Sequence, residues 1–171
     1  MSRLGRPSEG SSPSSATNER GNMSEEALFS QGHLATLTKA LNSTHRLNTH
    51  VLAGAGSIRP ENMSGLDTAA DTLIRLEGVE TAIVFALKDG TLSGVLKTRS
   101  GTVDPHKWIT SLFSFTEDDV YSFGEDDDEK STCHFTIPLG LLGKCPDKSQ
   151  LWDIANSYVT NLFVEKVGVE E

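Results

Sequence analysis

Large apolar residues are nearly absent from the first 24 positions and become regular only after Ser24. Positions 1–24 are rich in Ser, Gly, Pro and Asn. So little apolar surface cannot offset the entropy of ordering the segment, and a disordered tail is expected. Ser24 followed by Glu25 and Glu26 has the form of a helix start, with acids where the helix dipole favours them. Leu34, Leu37 and Leu41 recur at helical spacing and predict one buried face. This helix and its linker are assigned to 25–50.

Beyond it, His50 to Ser57 reads as a short apolar strand running into a glycine-bearing turn. Ser64-Gly65-Leu66-Asp67 has the form of a capping box. The helix it opens carries Leu66, Ala69, Ala70, Leu73, Ile74 and Leu76 on one face and ends at Gly78. Val79 to Leu87 is a buried-strand pattern, and Asp89-Gly90 predicts a tight hairpin into an antiparallel Thr91 to Thr98. Asp104-Pro105 supplies an N-cap and an N1 proline for a helix with Trp108, Ile109, Leu112 and Phe113. Cys133 to Leu139 reads as a strand with Pro138 near its end. After Asp147, the residues Leu151, Ile154, Ala155, Tyr158, Val159, Leu162 and Phe163 predict a helix packed on a sheet. The order is α-β-α-β-β-α-β-α. The expected fold class is therefore α/β: a single mixed sheet of about four strands, helices packed against it, and a disordered N-terminal tail.

At 171 residues the chain has room for one ordinary domain and a tail. A body of that size needs no disulfide or metal staple, so Cys133 and Cys145 predict a reduced, cytoplasmic protein. No run approaches a bilayer span, and the opening MSRLGRPSEGSSPSS has no apolar core of a secretory signal. No membrane partner is expected. The net charge is −9, and positions 117–130 alone hold eight acids against one Lys. That balance excludes duplex DNA held by bulk charge, which needs clustered Lys and Arg. A small nucleotide needs only a few donors and stays open.

Candidate chemistry is sparse. Gly54-Ala55-Gly56 after a strand could cradle a phosphate through backbone N–H groups. The tight-turn reading weighs more, because no third glycine follows and Arg59-Pro60 interrupts the run. Lys97-Thr98-Arg99 could grip a phosphate by charge-assisted hydrogen bonds, against the alternative of solvated strand-end bases. The acidic run Glu125 to Glu129 lacks EF-hand spacing and reads as a solvated loop. Cys133 and His134 are adjacent and would point to opposite faces of a strand, which disfavours a zinc site with Cys145. His33, His45, His50, His106 and His134 are scattered, and no nucleophile elbow, Walker loop or H-E-x-x-H occurs.

Several segments in order carry a resemblance. They are Ala53 to Asn62, Ala69-Ala70-Asp71, Leu76 to Phe85, Leu92-Ser93-Gly94, Thr98, Val103-Asp104-Pro105, Phe135 to Gly140, and the closing helix to Lys166. From Leu52 to Gly168 the chain resembles the C-terminal, DHH-associated substrate-binding domain of DHH-family phosphoesterases. The resemblance assigns 51–169 to such an α/β domain. It implies a partner domain with Asp-His-His and further aspartate motifs holding two Mn²⁺ ions. In that family the substrates are short oligoribonucleotides, 3′-phosphoadenosine 5′-phosphate, cyclic-dinucleotide products or polyphosphate. None of those metal motifs occurs here, so no catalytic residue and no cofactor is expected in this chain.

The recognition half departs from the family as well. Val95 and Lys97 stand where relatives carry Ser and Arg, and Phe123-Gly124-Glu125-Asp126 replaces a glycine-rich loop. Cys133-His134-Phe135 replaces a Gly-Gly-Phe step. Taken together with the Lys97-Thr98-Arg99 run, the substrate-phosphate candidates are Arg59, Lys97, Thr98, Arg99 and Gly124. The expected function is a stand-alone, degenerate, non-catalytic binding or interaction module. The alternative is the recognition subunit of a Mn-dependent phosphoesterase or oligoribonuclease, with the catalytic domain in trans. Expected partners are a nucleotide or short oligoribonucleotide, a separate DHH catalytic subunit, or a second copy of the chain. A folded, truncated remnant is a third reading.

Overall fold

A computed structural model describes residues 29–124 and 131–169. The tail, the Ser24 helix start and the run Glu125 to Glu129 lie outside these residues. The elements belong to a compact unit beginning at Gln31. In chain order they are α1 (Gln31–Asn42), β1 (Thr44–Leu47), β2 (His50–Ser57), α2 (Ser64–Leu73), β3 (Thr81–Lys88) and β4 (Thr91–Thr98). Then come α3 (Pro105–Phe113), β5 (Ser122–Phe123), β6 (Thr132–Pro138) and α4 (Lys148–Val169).

The sheet order is β1-β2-β3-β4-β6-β5. Only β2 and β3 run parallel, joined through α2; the remaining neighbours are antiparallel. The sheet is mixed, as expected, but it has six strands rather than about four. Both additions are short and lie at its edges. Thr-His-Arg-Leu of β1 has no apolar alternation, and β5 is two residues long. Pairing to a neighbour makes these strands, so propensity and periodicity leave them unmarked.

Strand β3 is buried along almost its whole length and alternates small and large side chains. Ala82, Val84 and Ala86 face one core with Val51, Ala53, Ala55, Ala69 and Ala70. Ile83, Phe85 and Leu87 face the other, with Trp108, Ile109, Phe135 and Phe163. Helices α1 and α2 cover the alanine-rich side, and α3 and α4 the bulky side. The Asp89-Gly90 hairpin forms as expected, with both residues at positive φ (47° and 74°) and Lys88 opposite Thr91. Asp104 caps α3 by accepting from the His106 and Lys107 N–H groups at 3.0 and 3.3 Å.

Three helix expectations need correction. In α1 the buried residues are His33, Thr36 and Ala40, one position out of phase with the leucines. Leu34 is 55% exposed. The contact with α2 is too close for leucine: Gly65 packs against Thr36, and His33 Nδ1 and Nε2 lie 2.9 and 3.0 Å from the Ser64 and Thr68 hydroxyls. Helix α2 ends at Leu73, short of Gly78, and Met63 rather than Ser64 is its N-cap residue. In α4 the buried ridge is Leu151, Ala155, Val159, Phe163 and Val167, while Ile154 and Tyr158 are exposed. No helix among the described residues is long and apolar enough to cross a membrane.

Gly94 of β4 lies between Phe85 and Phe135 in register. A Cβ there would sit 2.5 Å from the Phe135 ring and 2.6 Å from the Val84 carbonyl oxygen, and the backbone atom cannot step aside. Gly101 faces open space. Gly94→Ala is therefore expected to cost about 1–3 kcal/mol in urea unfolding, while Gly101→Ala stays within about 0.5 kcal/mol of the parent. Equal midpoints for the two variants would contradict the packing described.

Candidate functional site

The residues singled out as phosphate ligands do not converge. Arg59 follows β2, where the Ile58 N–H donates to the Leu87 carbonyl at the end of β3. Its guanidinium is largely solvated, 4.0 Å from Glu61. The Arg99 N–H donates to the Glu80 carbonyl, next to the start of β3. At about 3.3 Å of rise per residue, these two arginines stand roughly 20 Å apart, at opposite ends of the sheet. Thr98 is buried, and its Oγ1 accepts from the Ser100 N–H at 3.1 Å.

Lys97 shares a face with His134, whose carbonyl accepts from the Gly124 N–H. Strand alternation turns Lys97 and His134 toward α2, and Cys133 and Phe135 toward the bulky core. Cys133 and His134 thus point to opposite faces, as their adjacency implied. Lys97 Nζ donates to Asp71 Oδ1 at 2.6 Å. His134 Nε2 lies 2.5 Å from Asp67 Oδ1, and the Gly124 N–H donates to the His134 carbonyl at 2.9 Å. Asp67 and Asp71, one helical turn apart, therefore tie α2 to β6 and β4 by two polar rungs. The Lys97 ammonium is already matched by a carboxylate, which a phosphate would have to displace. These residues also do not fit the two-metal centre of the phosphoesterases: each carboxylate of α2 is taken by one base, Asp67 by His134 and Asp71 by Lys97. Among the described residues no group of three or more His, Cys, Asp or Glu side chains forms a metal site.

The Gly54-Ala55-Gly56 run is structural. The Gly54 N–H donates to Ser43 Oγ at 3.1 Å, and Ser43 Oγ in turn donates to the Gly54 carbonyl. The space a Cβ would fill is taken by the Trp152 ring at 2.6 Å. Gly56 has φ +77° within an irregularity of the β2–β3 pairing between Gly54 and Ser57. With its N–H committed, Gly54 offers no donor to a phosphate.

The open site lies on the other face. Helix α3 ends in a Schellman turn with Ser114 at φ +53°; the Ser114 N–H donates to Ser111 O and the Phe115 N–H to Thr110 O. That turn stands Phe113 and Phe115 side by side, centroids 5.4 Å apart, and Phe115 stacks on Tyr121 at 4.2 Å. Across from this aromatic wall stand Ile154 and Tyr158 of α4, with Leu92, Ile137 and Val159 between them. The resulting groove has a volume of about 540 Å³, within the range of small-ligand sites. Among the described residues its one charged lining residue is Asp119, whose Oδ2 accepts from the Thr116 N–H and Oγ1 at 2.6 and 3.1 Å. The periodicity of α4 predicts Ile154 and Tyr158 in the core, and the structure exposes both. A clue lay in the width of that face, which carries more apolar positions than one ridge against a sheet requires.

No protein-family model matches the chain, and no curated protein matches it in sequence. Among solved structures, an exopolyphosphatase-related protein from Bacteroides fragilis is similar over 80% of this chain and 37% of its own length, at 9% identity and a TM-score of 0.43. The chain thus spans little more than a third of that protein. The C-Ala domain of Aquifex aeolicus alanyl-tRNA synthetase is similar over 68% of this chain and 96% of its own, at 13% identity and a TM-score of 0.39. Likenesses this loose carry no argument about the site, which rests on the chain's own residues.

The Asp71 carboxylate is half exposed and the Lys97 side chain about one-fifth exposed, so solvent screens their pair. A double-mutant cycle of Lys97→Met and Asp71→Asn is expected to give a coupling of about 0.5–1 kcal/mol at low ionic strength. The coupling should shrink in added salt. Zero coupling at low salt would show that Lys97 is free for another ligand.

Proposed function

We propose that this chain is a non-catalytic binding module that docks a partner through the apolar groove between the end of α3 and helix α4. The observation that carries the reading is the exposure of Ile154 and Tyr158, 56% and 58%, beside the buried Leu151, Ala155 and Val159 of the same helix. Contiguous apolar surface around a formed depression marks an interaction site far more often than scattered exposed side chains do. The resemblance to a DHH-associated domain agrees with this, because such a domain works beside another. A phosphoesterase with its Mn²⁺-bearing domain in trans is the second reading. What favours it is the placing of Lys97 and His134 on one face, where a nucleotide or short oligoribonucleotide would have to compete with Asp71.

A photo-crosslinking amino acid at position 154 or 158, in cells that naturally make the chain, separates these readings. The groove reading expects a discrete adduct from both positions and none from position 72, exposed on α2. The complex rebuilt from purified components should weaken at least about tenfold with Ile154→Asp, as loss of a buried apolar anchor does. Absence of any adduct would instead favour the nucleotide reading if titration with 3′-phosphoadenosine 5′-phosphate released heat that Lys97→Ala abolished.

A further inference from the structure

Resting on the reading of the groove as a docking site, we propose that its occupant is a short protein segment with two or three apolar side chains on one face and Lys or Arg beside them. The size of the groove sets the first condition. A depression of about 540 Å³ holds a few side chains rather than the face of a domain. Its aromatic wall and the exposed Tyr158 are the side-chain types that dominate binding energy when an anchor is buried against them. Helical segments present such anchors at i, i+3, i+4 and i+7.

Charge sets the second condition. Asp119 lines the groove, and its carboxylate is held in place by Thr116. Glu117 and Asp118 precede it and are exposed. On the opposite wall, the α4 residues that line the groove are all uncharged: Leu151, Ile154, Ala155, Tyr158 and Val159. One bank of an otherwise apolar depression is therefore negative. An anionic amphiphile meets repulsion from that bank, and a neutral one gains nothing from the rim. A segment with flanking cations is drawn in and oriented, because rim charges act mainly on encounter and register.

The probe is a displayed library of random dodecapeptides, selected on the full chain and counter-selected on Ile154→Asp. Ile154→Ser serves as the milder groove variant if the Asp variant fails to fold. Groove-dependent binders enriched in Lys or Arg next to apolar pairs are expected. Synthetic versions should lose roughly tenfold in affinity against the combined variant Glu117→Gln, Asp118→Asn, Asp119→Asn, whose amide at 119 keeps an acceptor for Thr116. They should also weaken in 0.5 M salt. Groove-dependent binders without basic enrichment, or with affinity indifferent to the neutralised rim, would overturn the charge assignment while leaving the groove a docking site. No groove-dependent binder at all would remove the docking reading with it. Sedimentation showing a dimer that Ile154→Asp dissociates would replace the basic segment with a second copy and overturn the proposal.

Discussion

The constraint on which the structure depends is the alternation along β3. Ala82, Val84 and Ala86 point one way and Ile83, Phe85 and Leu87 the other, in a strand with neighbours on both sides. A strand buried on both faces must be covered twice, and the side-chain sizes dictate how closely each cover can approach. On the alanine side α1 and α2 approach closely, close enough that α1 fully buries His33, Thr36 and Ala40, while Leu37 is only partly buried and Leu34 is exposed. On the other side the bulk of Phe85, Phe135 and Phe163 holds α3 and α4 away from the strands.

This asymmetry governs where chemistry can reside. The alanine-side helices cover the sheet only as far as β4, so Asp67 and Asp71 of α2 face His134 and Lys97 at the margin of their layer. Each charge there is matched across the sheet–helix gap, and the arrangement closes a layer as much as it offers a site. On the bulky side, α4 touches the sheet by a ridge spaced every four residues from Leu151 to Val167. The helix presents a wider apolar stripe than that ridge, and the Schellman turn after α3 stops the chain before it can cover the remainder. The groove is the surface left between them.

Several elements were legible from local signals. The Asp89-Gly90 hairpin requires two positive φ values, which this pair of residues accepts at little steric cost. Asp104-Pro105 places an acceptor and a missing N–H where a helix start has use for both. The strands from β2 onward showed as apolar runs or alternations, apart from β5. The edge strands β1 and β5 left no such mark, since Thr44–Leu47 and Ser122–Phe123 are strands only by virtue of their neighbours. Gly54 illustrates the limit for sites: a glycine after apolar residues reads equally as a phosphate cradle or a packing void, and the Trp152 ring about a hundred positions away settled it.

The order and type of the main elements, the hairpin, and the opposite orientations of Cys133 and His134 were determined by the sequence itself. Turn chemistry, capping and strand alternation act over a few bonds, so neighbouring residues suffice to specify them. Which side of α1 is buried, which residue holds Lys97, and where α4 is left uncovered were decided only by the tertiary structure. Each depends on the distance between elements remote in the chain, and that distance follows from the summed volumes of side chains on both faces of β3.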